Sequence, residues 1–191
     1  MRWFISDPHF FHKHVIRYNK RPFNDNNEMH ETLIRNWNKK INNKDVVYII
    51  GDFSFGNFYE TCQIVKRLNG KKRLIRGNHD YRFTSKDFVD MGFEDVRDHL
   101  LISINGFEVL LSHFPYHKPF KAFWYNKILK RHYKKYYDFY PRYCGRWLIH
   151  GHFHHDEKVK PKNKEINVCV DNNEYSPVSE LTILNYLKEY A

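Results

Sequence analysis

The sequence predicts a layered α/β domain with some antiparallel strand pairing, and three observations carry that expectation. Short runs of Ile, Val and aromatic residues alternate with helical segments in the first half of the chain. Strands dominate the second half, where Asn105-Gly106 between two apolar runs signals a two-residue hairpin. The 191 residues are 41% hydrophobic and 18% aromatic, which suits one ordered core, so 1–191 is expected to form a single domain.

Residues 2–6 and 45–50 have the composition of buried strands, and 71–76 is a shorter strand candidate. Between the first two, Met29, Leu33, Trp37 and Ile41 recur every four residues and mark one apolar helical face. A second helix is expected over 59–68, ending near Asn69-Gly70. Strands at 100–104 and 107–111 flank the hairpin turn, further strands fall at 147–150 and 166–170, and a helix over 181–187 is capped by Ser179.

Residues 116–146 are the compositional exception. Phe120, Phe123, Trp124 and Tyr125 among other aromatics interleave there with Lys127, Lys130, Arg131 and Lys134. This is expected to be a partly helical, basic, lid-like excursion whose aromatics form an apolar face. Base stacking on those rings is the competing account.

The formal charge of +10 favours anionic partners such as nucleotides or nucleic acid, without choosing between binding and chemistry. Cys62, Cys144 and Cys169 are far apart and odd in number, as in a reducing compartment. Asp7 comes too early for a signal peptide's apolar stretch, and no segment has membrane-spanning length. The expected location is cytoplasmic, with no membrane partner; oligomeric state is left open.

Side chains that ligate metals collect where the strand candidates end. These ends are Asp7-Pro8-His9, Gly51-Asp52, Gly77-Asn78-His79-Asp80, Ser112-His113 and His150-Gly151-His152-Phe153-His154. Loops at the carboxyl ends of α/β strands converge, so five such ends predict one shared site. Nitrogen and oxygen donors without thiolates suit manganese, iron or zinc. Gly51, Gly77 and Gly151 would let the backbone turn sharply beside them.

The ordered set DxH, GD, GNHD, a lone His and GHxH resembles the calcineurin-like metallophosphoesterase family and spans residues 7 to 154. Arg21-Pro22-Phe23, Trp37-Asn38 and the run Asn167 to Asp171 look like its small bacterial and phage branch. The resemblance implies a layered α/β/β/α sandwich of two mixed β-sheets with helices outside and a dinuclear metal site at the strand C-terminal ends. It also implies that Asp7, His9 and His154 hold one divalent ion, that Asn78, His113 and His152 hold a second, and that Asp52 bridges them. Manganese is the first choice of ion, with iron, zinc or nickel as alternatives. In-line attack by a hydroxide held between the ions would cleave the phosphate ester, and His79 would protonate the leaving oxygen.

One departure stands out. Some members have an aspartate three residues after the bridging one, orienting the catalytic histidine; here Phe55 occupies that place. Asp80 or a backbone carbonyl would then have to steady His79. Arg76 is a candidate for the substrate phosphate, with a strand-end salt bridge as the equal alternative. His12 lies close enough to the first block to reach substrate, whereas His14, His30, His99, His132 and His155 are read as structural and His117 and His150 are undecided. Asp171 could support a ligating histidine, but a turn aspartate before Asn172-Asn173 is the favoured account.

The expected activity is hydrolysis of a phosphodiester, of a nucleotide or a nucleic-acid end. A nuclease of the same family is the alternative, and a non-catalytic nucleic-acid-binding module that keeps its metals is the reading from another class. No RNA-recognition or helix-turn-helix signature supports that module, and its scaffold has no need of a non-ligand His79.

Overall fold

Apolar runs become strands, and their parallel pairing decides where the chain ends of those strands point. The computed structural model describes residues 1–117 and 135–190. Among them, β1 (Arg2–Ile5), β2 (Val46–Ile50), β3 (Lys71–Ile75) and β4 (Asp95–Arg97) run parallel, and β10 (Val178–Ser179) adds antiparallel to β1. The second sheet has the order β5-β6-β7-β9-β8. In it β5 (His99–Ile104) and β6 (Phe107–Ser112) form the hairpin, while β7 (Trp147–His150) runs parallel to both β6 and β9 (Glu165–Asn167). The short β8 (Val159–Lys160) closes that sheet antiparallel to β9. Both sheets are therefore mixed, as expected.

Helices follow the predicted periodicity. The chain passes through α1 (Val15–Tyr18) before α2 (Asn26–Lys40), which buries Met29, Leu33, Ile34 and Trp37. With α3 (Phe58–Arg67) and α4 (Ser85–Met91), it covers one face of the first sheet through Ile5, Val47, Ile49 and Leu74. The other face of that sheet, through Phe4, Tyr48, Ile50 and Ile75, meets Ile104, Val109, Leu111 and Ile149 of the second sheet. The closing helix α5 (Glu180–Glu189) joins this inter-sheet core through Ile183 and Leu187, and Ser179 caps it by accepting from the Thr182 N–H. Each fully buried apolar side chain here contributes about 1.5–3 kcal/mol relative to exposure.

The hairpin turn is as the sequence predicts, with Asn105 and Gly106 both left-handed (φ 48° and 86°). The strand expected over 166–170 stops at Asn167: the Asn167 side chain accepts the Cys169 N–H, and the chain turns into a 3-10 segment at Val170–Asn172. Most of the excursion expected over 116–146 lies outside the described residues, including Phe120, Phe123, Trp124, Tyr125, Lys127, Lys130, Arg131, His132 and Lys134. Of its remainder, Tyr137–Phe139 forms a 3-10 turn, and Tyr140 is buried against Phe114. No helix among the described residues is long and apolar enough to cross a membrane.

Candidate metal centre

Because β1, β2 and β3 are parallel, and β6 and β7 likewise, the five predicted donor loops emerge at one end of the two sheets. Backbone bonds knit them together. Asp7 N–H donates to the Gly51 carbonyl, His9 N–H to that of Asp52, and Gly151 N–H to that of His113. The two sheets are joined at this end by a parallel bridge between Ser6 and Cys169.

Strain concentrates in the same loops. Asp7, His9, Asp52 and His152 are all left-handed, with φ of 57°, 53°, 53° and 69°. Each such non-glycine residue costs on the order of 1–3 kcal/mol, and surrounding structure has to hold it there. Close packing of the loops also fixes two glycines. A Cβ on Gly151 would collide with Ser6 Oγ and the Asp7 carboxylate, and one on Gly51 with the His113 ring.

The donor atoms fall into two groups. In the first, His9 Nε2 and His154 Nε2 are 3.2 Å apart, and each is 3.7 Å from Asp7 Oδ1. The other Asp7 oxygen is engaged by the Ser6 hydroxyl and the His152 N–H. In the second, His113 Nε2 lies 3.2 Å from both Asn78 Oδ1 and His152 Nδ1. His113 Nδ1 donates to the Ile50 carbonyl at 2.9 Å, which leaves its Nε2 as the lone-pair nitrogen. Asp52 stands between the groups: its Oδ2 is 3.8 Å from His9 Nε2 and 3.5 Å from His113 Nε2. Its Oδ1 accepts the His79 N–H at 3.0 Å.

These donors fit divalent cations. Asp7 Oδ1 is buried with no hydrogen-bond partner among the described residues, although a buried carboxylate oxygen ordinarily has one. Asp7, His9 and His154 converge within metal-binding reach of one another, and so do Asp7, Asp52 and His113. His154, Cys169 and Asp171 also converge, but Asp171 is already neutralised by the Arg21 guanidinium at 2.8 Å, which opposes a cation there.

Burial sets the electrostatics. It pushes the Asp52 carboxyl up to about 7, against the pull of His113 and with help from Asp80 and Asp7. Burial acts on Asp7 in the same direction, but His113, His9 and His154 outweigh it and hold Asp7 well below the carboxylate range. Burial lowers His9 to about 3, so its imidazole is neutral, as a metal ligand must be.

Other predicted residues take the following places. His12 packs beside His9 and Phe55, with ring centroids 5.6 and 4.2 Å away. Phe55 also lies 4.7 Å from the His79 ring, so an apolar face flanks His79. Arg76 donates to Ser85 Oγ at 2.6 Å, pairs with Asp98 at 3.4 Å and lies over the Tyr81 ring, which is the salt-bridge alternative. His30 is structural, its Nε2 accepting the Phe11 N–H at 2.8 Å, and His150 is buried with Nδ1 2.8 Å from the Gly151 carbonyl.

Two carboxylates require correction. Asp80, offered beside a backbone carbonyl as the group to steady His79, accepts the backbone N–H groups of Asp52, Phe53 and Gly77 and so ties two donor loops together. Asp171 is not merely a turn residue: its Oδ2 is 2.7 Å from His154 Nδ1, and Arg21 holds it from the other side. The sequence signal for Arg21 is the Arg21-Pro22-Phe23 run, which by itself gives the residue no role.

Two mixed sheets that gather Asp, His and Asn donors at one end make the frame of a metal-dependent hydrolase. The model of the calcineurin-like phosphoesterase family matches residues 2–186, and the chain belongs to that family. It is accordingly a metal-dependent phosphoesterase, a hydrolase that uses divalent ions. The uncharacterized protein MJ1445 of Methanocaldococcus jannaschii is 34% identical over 184 residues, covering 93% of this chain and 85% of that protein. The Gene 66 protein of Mycobacterium phage L5 is 33% identical over 132 residues, covering 60% of this chain and 63% of the phage protein, consistent with the phage-type branch. The crystal structure of AQ665 from Aquifex aeolicus, described as a protein of unknown function, superposes with a TM-score of 0.70 at 29% identity, covering 97% of this chain and 98% of that one.

Proposed function

We propose that this phosphoesterase is a dinuclear phosphodiesterase acting on a nucleotide or a nucleic-acid end. The observation that carries the dinuclear reading is the position of Asp52 Oδ2, within 3.8 Å of a donor nitrogen in each group. Asp7, His9 and His154 hold one ion, Asn78, His113 and His152 hold the other, and Asp52 is shared. Manganese is the first choice of ion, with iron, zinc or nickel as alternatives. Bound divalent ions supply charge for the phosphoryl oxygens and lower the pKa of a coordinated water.

The chain's own residues do the remaining work. His79 is anchored through its N–H to Asp52, with its Nε2 3.9 Å from Asp52 Oδ2, so it faces the centre without belonging to either group. It donates the proton that the leaving oxygen needs. His12 meets the substrate on the flank, while Arg76 stays in its ion pair with Asp98. Support for a nucleotide comes from the +10 charge and from a run of rings leading off His152. Phe114 lies 4.6 Å from His152, Phe139 5.9 Å from Phe114, and Tyr81 5.5 Å from Phe139. Phe139 and Tyr81 are 38% and 45% exposed, which suits stacking on a base. A nuclease would use the same surface on a longer strand. The domain 1–191 is taken as one unit in the reducing cytoplasm.

The test is hydrolysis of bis(p-nitrophenyl) phosphate and p-nitrophenyl phosphate by metal-stripped protein, with Mn, Ni, Zn or Mg restored in turn. Metal-dependent release, faster on the diester and reduced about 1,000-fold or more in Asp52→Asn, is the expected result. Faster release from the monoester would make the protein a phosphomonoesterase. Folded protein that binds two ions and cleaves neither ester nor any nucleic acid would favour the binding module.

A further inference from the structure

Arg21 is a charged side chain with no exposed surface, and its oxygen partners are Asp171 and the carbonyls of Asp7 and Pro8, all at the first donor group. Its Nε and Nη2 donate to the two Asp171 oxygens at 2.9 and 2.8 Å, a bidentate pair. Nη2 also donates to the Asp7 carbonyl at 2.8 Å, and Nη1 donates to the Pro8 carbonyl at 3.0 Å and lies 3.3 Å from Met29 Sδ. Beyond Asp171 stands His154, whose Nδ1 is 2.7 Å from Asp171 Oδ2. The Asn19 side-chain amide meets the same nitrogen at 2.9 Å, but an ionised carboxylate only accepts, so the shorter Asp171 contact puts the proton on Nδ1 and leaves Nε2 with the lone pair that faces Asp7.

One guanidinium thus connects the strained Asp7-Pro8-His9 turn to the loop that presents His154. A buried ion pair is a weak source of net stability, so the pair needs another reason to be there. Positioning is that reason. The planar fork can serve two carboxylate oxygens and two carbonyls at fixed angles, whereas a lysine ammonium is a point charge with three donors. The neighbouring residues fit the same purpose. Phe23 packs on Tyr175 at 4.8 Å, and Tyr175 lies under the Arg21 guanidinium at 5.9 Å.

We propose that Arg21 is a positioning residue for the first donor group: through Asp171 it fixes the tautomer and direction of His154, and through two carbonyls it holds the turn that carries Asp7 and His9. The Arg21-Pro22-Phe23 motif thereby acquires a function. The inference rests on the reading that Asp7, His9 and His154 hold a metal ion.

Calorimetric titration of metal-stripped protein with Mn²⁺ tests it, on the wild type, Arg21→Lys, Asp171→Asn and the double variant. Wild type is expected to bind two ions. Arg21→Lys weakens one of them by about 10–100-fold and leaves the other within about twofold, Asp171→Asn does the same, and the double variant is no worse than either. Such selective loss is something a general destabilisation would not produce. Wild-type protein that binds no Mn²⁺, or one ion alone, would sink the dinuclear reading itself. Two ions bound with both affinities unchanged in Arg21→Lys would overturn the positioning role alone. Should Arg21→Lys fail to give a cooperative thermal transition, Asp171→Asn decides by the same criterion.

Discussion

The two donor groups of the centre sit side by side but are supported by different physics. Around Asp7, His9 and His154, support is ionic: Arg21 and Asp171 form a buried pair, and Asp171 grips His154. Around Asn78, His113 and His152, support is backbone and apolar apart from the Asp80 carboxylate, which takes the backbone N–H groups of Gly77, beside Asn78, and of Asp52. His113 leans on the Ile50 carbonyl, and Phe114 packs against both histidines, at 5.1 and 4.6 Å. Charge networks hold direction tightly and fail when one member is removed, whereas packing around a ring degrades gradually. The first group should therefore respond sharply to isosteric polar changes, and the second only to changes of volume.

The largest expected effect sharpens that contrast by touching neither group. His79→Ala should lower turnover by about 10²–10⁴-fold while metal content stays at the wild-type level. Loss of metal along with activity would place His79 among the ligands. Next comes Gly151→Ala, whose methyl group must displace Ser6 and Asp7 together. It should cost about 3 kcal/mol in urea unfolding of the metal-free protein and weaken metal binding. An unchanged midpoint would show that the loops are looser than they stand.

A smaller effect concerns pH. Burial works to raise Asp171, but His154 and Arg21 overcome it and hold the carboxyl at about 2, below its ordinary 3.8. That depressed value stabilises the folded chain fully above about pH 4 and is lost as pH falls toward 2, a contribution of about 2 kcal/mol. Urea midpoints of metal-free protein at pH 5 and pH 3 should differ more in the wild type than in Asp171→Asn. Equal differences would break the ionic account of the first group. Smallest is Phe114→Leu, expected to cost about 1 kcal/mol and to change turnover by less than about fivefold. A collapse of activity there would mean that packing positions the second group as strictly as charge positions the first.

The candidate donors are legible in the sequence and their supports are not, for a physical reason. Donor blocks are local: each lies at the end of an apolar run, so strand and ligand are visible together. Supports are long-range. Arg21 and Asp171 meet across 150 positions, and Asp80 reaches back to amides of another loop, so nothing nearby in the chain announces either pairing. The strands β4, β8 and β10 are two or three residues long, too short to carry a period. Helix α4 is legible from its ends, where Thr84 and Asp87 form a capping box and Gly92 closes the helix with a φ of 109°.

Each donor group takes atoms from both sheets: Asp7 and His9 follow β1 and Asn78 follows β3, while His113 follows β6 and His152 and His154 follow β7. The gap that an ion would meet is therefore gauged by the thickness of the apolar layer between the sheets. Ile50, Leu111 and Ile149 in that layer are fully buried and ligate nothing, yet they act as spacers for the centre. A truncation such as Leu111→Ala is expected to cost about 2–5 kcal/mol in urea unfolding and, as far as the sheets relax into the space, to change the spacing between the two donor groups.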